Sequence, residues 1–246
     1  MRVNAARDVS VKLEGNVSRF IFNITTAINP QITKSYASGN LPYMHELVCK
    51  GAKYSFFLFY FFAMPIILEA PALLELWLGQ VPKYAVEFVR ISLLSSLFIA
   101  IGNPFTTGIF ATGDVKRYQI VASVTNVLAF PLAYIAFRLG GAPTAAYWMV
   151  VGTSVLVLVE RVWMACRQIR MSFGLVFREL VWKALRVSVV ALILPAALCF
   201  LQDPSVWRTV EVVVSGFVMT ALSAFFLGTT SGERAVVVDA IKKKIK

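Results

Sequence analysis

Six blocks of predominantly apolar residues, separated by short polar links, constrain this chain more than any other feature of its sequence. Each block is about 20 residues long, the length that an α-helix needs to cross roughly 30 Å of hydrocarbon. The composition agrees, because 58% of the residues are hydrophobic and 15% are charged, whereas soluble domains average about 45–50% and about 25%. The sequence therefore predicts an all-α, polytopic transmembrane helix bundle. Its six strong spans are predicted at residues 54–77, 85–112, 118–137, 142–166, 181–201 and 206–227.

A seventh, weaker segment at residues 16–36 is too polar to be identified as a span from hydropathy alone. Its polar residues nevertheless follow a helical period, since Asn16, Arg19, Asn23 and Thr26 recur every three or four positions. A helix with one polar stripe suits the interior of a bundle or the wall of a wet cavity. We therefore expect a polar N-terminal helix beside the six spans.

The basic residues of the links predict the orientation of the spans. Alternate links carry only Lys83, Arg138 or Arg208, whereas the links between them and the C-terminal tail are rich in lysine and arginine. Basic residues are retained on the cytoplasmic side of a membrane. We therefore expect a cytoplasmic C-terminus. With the 16–36 segment as a further span, the N-terminus lies outside, and the chain is expected to be the latter part of a longer protein.

The remaining composition argues against several other classes of protein. The net charge of +11 would favour nucleic acid as a partner of a soluble protein, but cytoplasmic retention of basic residues accounts for it here, so no nucleic-acid partner is expected. The three cysteines have no metal-ligand spacing. No hydrolase, zinc-protease or nucleotide-binding motif occurs in a link. We expect neither an enzyme nor a metal or cofactor site.

Several short motifs, in this order and spacing, resemble a known family of membrane proteins. They are AINPQITKSYASGN at residues 27–40, NP at 103–104, ATGDVKRY at 111–118, TNVL at 125–128 and FRLGGA at 137–142. Together they resemble the polysaccharide-biosynthesis flippases, of the O-antigen and teichoic-acid type, within the multidrug/oligosaccharidyl-lipid/polysaccharide exporter superfamily. The resemblance extends over about residues 16–166.

The resemblance implies a fold and a function. Members of the family have two lobes around a central cavity, and this chain has room for only the second lobe. The implied division is an N-terminal remnant at 1–15, a flippase-like lobe at 16–166, an additional helix pair at 181–227 and a basic cytoplasmic tail at 228–246. A missing N-terminal lobe or a second copy would then be a partner. The implied function is export of a polyprenyl-pyrophosphate-linked oligosaccharide by alternating access in the bacterial cytoplasmic membrane.

Two alternatives stay open. One is cation-coupled multidrug extrusion, which would favour acidic residues in the middle of spans. The other is a non-transporting, truncated membrane subunit, which the missing lobe would favour.

Arg19 is the strongest candidate for a substrate-binding residue. A charge within a spanning helix usually faces a cavity, a partner or a substrate, and a guanidinium can bind phosphate oxygens bidentately. Arg19 could instead extend to the interface. Asn23, Thr26 and Asn29 are expected on the same face, where they could bind sugar hydroxyls or neighbouring helices.

Glu160 is the candidate for ion coupling. It lies near the cytoplasmic end of the predicted 142–166 span and could titrate in a cation-coupled cycle. Alternatively, Glu160 and Arg161 form a pair that reaches the headgroups from the end of the helix.

Overall fold

A computed structural model of the protein describes residues 2–235 and 239, and in this part of the chain it consists of helices without β-strands. Six of these helical segments are long and apolar enough to cross a membrane. The prediction of an all-α, polytopic bundle is therefore confirmed. The six segments are Leu41–Leu68, Ala85–Ala111, Lys116–Arg138, Thr144–Gln168, Phe173–Leu201 and Val206–Gly228.

Several of these segments contain more than one helix, because prolines and wide turns interrupt them. In chain order the α-helices are α1 (Arg2–Thr25), α2 (Asn29–Ala37), α3 (Leu41–Leu68), α4 (Ala70–Leu78), α5 (Ala85–Ala111), α6 (Lys116–Val127), α7 (Ala129–Arg138), α8 (Thr144–Gln168), α9 (Phe173–Val176), α10 (Trp182–Leu201) and α11 (Val206–Ser223). A 3₁₀ turn at Thr26–Ile28 joins α1 to α2, and π-helical turns at Phe177–Val181 and Ala224–Gly228 follow α9 and α11.

The polar N-terminal helix is longer than predicted and is interrupted. It begins at Arg2, rather than near residue 16, because Ala6 and Ser10 are fully buried in a seam that continues to Ile21. This seam makes residues 2–15 part of the bundle. The helix loses its regular hydrogen bonding at Thr26–Ile28, just before Pro30, which lacks a backbone N–H donor.

The first strong span also begins earlier than predicted. Helix α3 begins at Leu41, where the Asn40 side chain accepts a hydrogen bond from the Tyr43 backbone N–H at 3.2 Å, a typical N-terminal cap. It ends at Leu68, three residues before Pro71, and α4 follows at Ala70. Lys53 therefore belongs to a membrane helix and not to a link. Its side chain is buried and forms an ion pair with Glu233.

Helix α5 holds the bundle together, because it packs against α1, α3 and α8, while the α10–α11 hairpin packs against α3. One buried apolar cluster lies between α1, α3 and α5, and a larger one joins α3, α5 and α8 to the α9–α10 region. Between membrane helices such contacts stabilise by close packing rather than by removal of apolar surface from water. The division into a lobe at 16–166 and a helix pair at 181–227 stays a prediction.

Candidate functional site

A polar pocket of about 410 Å³ lies between α1 and α5, with one side chain of α3 in its wall. We call it the polar pocket. Its lining residues from α1 are Glu14, Ser18, Arg19, Ile21, Phe22 and Thr25, and those from α3 and α5 are Phe59, Ser96, Ile99, Ala100 and Asn103. Because Ser96 lies near the middle of the 27-residue α5, this pocket is at mid-membrane depth.

Glu14 is the most constrained polar group in this pocket. Its Oε1 atom accepts hydrogen bonds from Ser18 Oγ at 2.6 Å and from Ser96 Oγ at 2.5 Å. An acidic side chain at this depth is costly unless it is paired or bound to a ligand, so it marks a functional site by default. The sequence alone does not indicate Glu14, because hydropathy places residues 1–15 outside the bundle. The recurrence of Ala6, Ser10 and Leu13 at helical spacing was the signal that could have extended the helix.

Arg19 lines the same pocket from α1, and its side chain is exposed. It is the candidate cation for binding an anionic ligand there.

The other three predicted substrate-binding residues have different surroundings. Asn23 is exposed, and its backbone carbonyl accepts a hydrogen bond from Thr26 Oγ1 at 3.3 Å. Asn29 Oδ1 accepts a hydrogen bond from Thr107 Oγ1 on α5 at 3.1 Å. The polar pocket faces the side of α1 that carries Glu14, Ser18 and Thr25, so Asn23 lies outside its wall, whereas Thr26 and Asn29 come at the break between α1 and α2. Only Arg19 of the four predicted residues lines the polar pocket.

Glu160 contacts α6. Its Oε1 atom accepts a hydrogen bond from Thr125 Oγ1 at 2.5 Å, whereas Oε2 is buried and has no hydrogen-bond partner among the described residues. Arg161 does not pair with it and donates instead to Tyr118 Oη at 2.9 Å. The two side chains therefore do not bond to each other, and both instead find hydrogen-bond partners on α6.

Glu160 also lines a strongly apolar groove of about 790 Å³, which we call the lateral groove, between α3, α5, α8 and the α9–α10 region. A buried acceptor without a partner is costly, so a cation or a proton-bearing group at this position would satisfy it.

A second groove, which we call the apolar groove, lies between the α1–α2 junction, α3 and α11 and has a volume of about 730 Å³. Phe57, Phe61 and Phe225 form much of its wall, and Thr25 lines both this groove and the polar pocket. A polar, charged pocket beside a long apolar groove is suited to an amphiphilic ligand. No group of three or more potential metal-binding side chains occurs within residues 2–235 and 239.

Comparison with known proteins identifies a family to which this chain belongs. No curated protein and no solved structure matches the chain. The family model MatE matches residues 8–135, a range that includes every lining residue of the polar pocket. The match agrees with the exporter superfamily indicated by the sequence motifs. Because it covers more than half of the sequence, this multi-pass chain belongs to the MatE family of membrane exporters.

Proposed function

We propose that this exporter moves a polyprenyl-pyrophosphate-linked oligosaccharide across the bacterial cytoplasmic membrane by alternating access. The observation that carries the proposal is the pairing of the polar pocket, which contains Arg19, with the apolar groove through their shared residue Thr25. A lipid-linked oligosaccharide has an anionic head and a long apolar tail, so it needs two such surfaces side by side.

The head would bind to the polar pocket. The guanidinium of Arg19 offers paired N–H donors in a plane, which match two phosphate oxygens. The hydroxyl and amide groups of Ser18 and Asn103 also line the pocket and are suited to sugar hydroxyls. Because the pocket lies within the bundle, these interactions are screened less than they would be at a surface.

The tail would lie in the apolar groove. Transfer of a polyprenyl chain from lipid into a protein groove gains little hydrophobic free energy, because both surroundings are apolar. The groove therefore contributes shape and direction, and the affinity must come from the head.

Substitution of Arg19 tests the proposal. We expect Arg19→Ala to lower flipping of a fluorescent lipid-linked oligosaccharide in proteoliposomes by about tenfold or more, as loss of one charge-assisted hydrogen bond would do. Arg19→Lys should retain part of the activity, since it keeps the charge and loses the planar fork. Flipping is normalised to inserted protein. Arg7→Ala, an exposed position on the same helix, is the control, and an equal loss from Arg7→Ala and Arg19→Ala would contradict the proposal.

Alternating access further requires a surface opposite this chain. We propose that a first lobe or a second copy of the chain supplies it. Native mass spectrometry of the chain from nanodiscs, with and without a co-expressed first lobe of the same superfamily, tests this. A strictly monomeric chain with full flipping activity would contradict it.

Cation-coupled multidrug extrusion is the second candidate function, and the hydrogen-bonded carboxylate of Glu14 supports it. Under this alternative, Glu14→Gln abolishes efflux of ethidium, an organic cation, while Arg19→Ala keeps it. Under the lipid-linked substrate proposal, Arg19→Ala is the more damaging change and ethidium is not transported. Both variants measured with both substrates therefore separate the two functions.

A further inference from the structure

Lys53 is a cation buried inside the bundle. It lies in α3 between the capped helix start and the apolar groove, and 2% of its side chain is exposed. Its Nζ atom donates to both carboxylate oxygens of Glu233, at 2.9 Å and 2.8 Å. A buried charge is tolerated only when it is paired and hydrogen-bonded, so Lys53 requires an anion at this position.

Glu233 reaches Lys53 through a tightly built segment at residues 229–235, which we call the closing segment. The chain approaches α3 closely at Gly228, where a Cβ atom would clash with the Phe57 ring. The Thr230 backbone N–H donates to Glu233 Oε2 at 2.8 Å, and the Glu233 backbone N–H donates to Thr230 Oγ1 at 3.4 Å. This reciprocal arrangement is a capping box, and it holds the carboxylate towards α3.

The closing segment covers a charged pocket of about 250 Å³ between α3 and the α9–π-turn region. Its lining residues are Pro42, Glu46, Cys49, Lys50, Lys53, Leu175, Arg178, Glu179, Thr230 and Glu233. Glu179 is bonded to Lys183 at 2.5 Å, and Lys50 to Glu46 at 2.6 Å. Without Glu233, the lining would keep three cations and two carboxylates, and Lys53 would have no partner. Another anion would then be needed in the place of the Glu233 carboxylate.

The charged pocket adjoins the apolar groove. Tyr54 and Thr229 line the groove, and each is the sequence neighbour of a residue that lines the charged pocket. The Lys53 Nζ atom also lies 4.9 Å from the centroid of the Tyr54 ring. An amphiphile whose tail occupies the groove would therefore have this pocket within reach of its head.

Protonation does not open this contact near neutral pH. Burial opposes ionisation of Glu233, yet the hydrogen bonds from Lys53 and Thr230 lower its pKa to about 2. Competition by another anion would separate the carboxylate from the lysine without protonation of Glu233.

We propose that the charged pocket is a phosphate-binding site in which Glu233 stands in the place of the ligand, and that the phosphate of an anionic amphiphile displaces Glu233 from Lys53 as its tail enters the apolar groove. When the phosphate binds Lys53, the closing segment loses this contact with α3. Without the ligand, Glu233 occupies the same position. This inference rests on the proposed function, since it assigns a second anchor to the same class of substrate. The phosphate could belong to a polyprenyl lipid or to a bilayer phospholipid, and the experiment separates these sources.

Cys49 offers a direct readout, because it lines the charged pocket and is 3% exposed. In the full chain carrying Cys166→Ser and Cys199→Ser, we would measure the rate of Cys49 labelling by a maleimide in detergent. Undecaprenyl phosphate should increase this rate by about tenfold in the otherwise unchanged chain, whereas undecaprenol should not. Glu233→Gln should increase the rate without any lipid.

A binding measurement completes the test. Affinity for undecaprenyl phosphate should rise by about tenfold in Glu233→Gln, which removes the competing carboxylate, and should fall in Lys53→Met, since each changes one charge-assisted contact. Glu75→Gln is the control, because this carboxylate is exposed on α4 and lies outside the residues that line the charged pocket and the apolar groove. The control should leave both readouts unchanged.

The outcomes are distinguishable. Preference of the unchanged chain for undecaprenyl phosphate over undecaprenol, without any effect on Cys49 labelling, overturns the inference and leaves the proposed function standing. Equal affinity for the two lipids overturns the proposed function as well. Equal Cys49 exposure by phosphatidylglycerol supports the exchange and identifies a bilayer phospholipid as the source. The effect of undecaprenyl phosphate on Cys49 labelling in the unchanged chain tests the inference even where Glu233→Gln does not fold.

Discussion

At the scale of single residues, two buried charges of α3 are each paired with a distant part of the chain. Glu69, 1% exposed at the end of α3, accepts hydrogen bonds from Arg208 at 3.2 Å and Thr209 at 3.0 Å. Lys53, near the middle of the same helix, pairs with Glu233. The Glu69 contacts join α11 to α3, and the Lys53–Glu233 pair joins the closing segment to α3. Removal of one partner would leave a buried charge uncompensated.

The Glu233 contact predicts how stability depends on pH. The pKa of this carboxyl is lowered from 4.5 to about 2 in the folded chain, so the folded state binds fewer protons than the unfolded state between these values. Its contribution is complete above pH 4.5 and is lost as the pH falls through 2, up to about 3 kcal/mol in total. The difference in unfolding free energy between the unchanged chain and Glu233→Gln should therefore shrink over this range. A constant difference would contradict the ion pair.

At the scale of elements, small residues set how closely helices approach each other. Gly216 of α11 lies against Pro65 of α3, where an added Cβ atom would be 2.9 Å from the proline Cγ atom. Gly152 of α8, in contrast, has nothing within 4 Å of the corresponding position. The two glycines are therefore a matched pair for testing whether α11 depends on this contact.

We expect Gly216→Ala to destabilise the chain by about 1–3 kcal/mol, because α11 must move away from α3. Gly152→Ala should instead stabilise it by about 0.5–1 kcal/mol, because alanine restricts the unfolded backbone. Thermal unfolding in detergent, followed by circular dichroism, measures both changes. Equal stability of the two variants would show that α11 does not press against the proline.

At the scale of the whole molecule, the six spans alternate in direction, and the basic links predict which side each end faces. Gln80 lies between α4 and α5, and Lys116 begins α6 at the opposite end of α5. The sequence-based orientation puts Gln80 outside and Lys116 in the cytoplasm. Gln80→Cys and Lys116→Cys, each in a cysteine-free background, should react with an impermeant maleimide from opposite sides of the membrane. Equal labelling of both positions in intact cells would reject this orientation.

The number of spans and their approximate positions could be predicted from the sequence because hydropathy is a local property. A window of about 20 apolar residues has few alternatives to a membrane helix. The sequence also indicates Arg19 as a candidate, since a charge in a helical polar stripe is recognisable without knowledge of its neighbours. The early start of α3 could not be identified, because Lys50 and Lys53 resemble residues of a link.

The sequence by itself therefore determined the helical class, the six spans and the membrane setting, because each depends on residues that are neighbours along the chain. The tertiary structure decided the site. The hydrogen bond between Glu14 and Ser96 joins residues 82 positions apart, and the ion pair between Lys53 and Glu233 joins residues 180 positions apart. A charge is tolerated inside a membrane bundle only when a partner satisfies it, and only the folded chain brings those partners together.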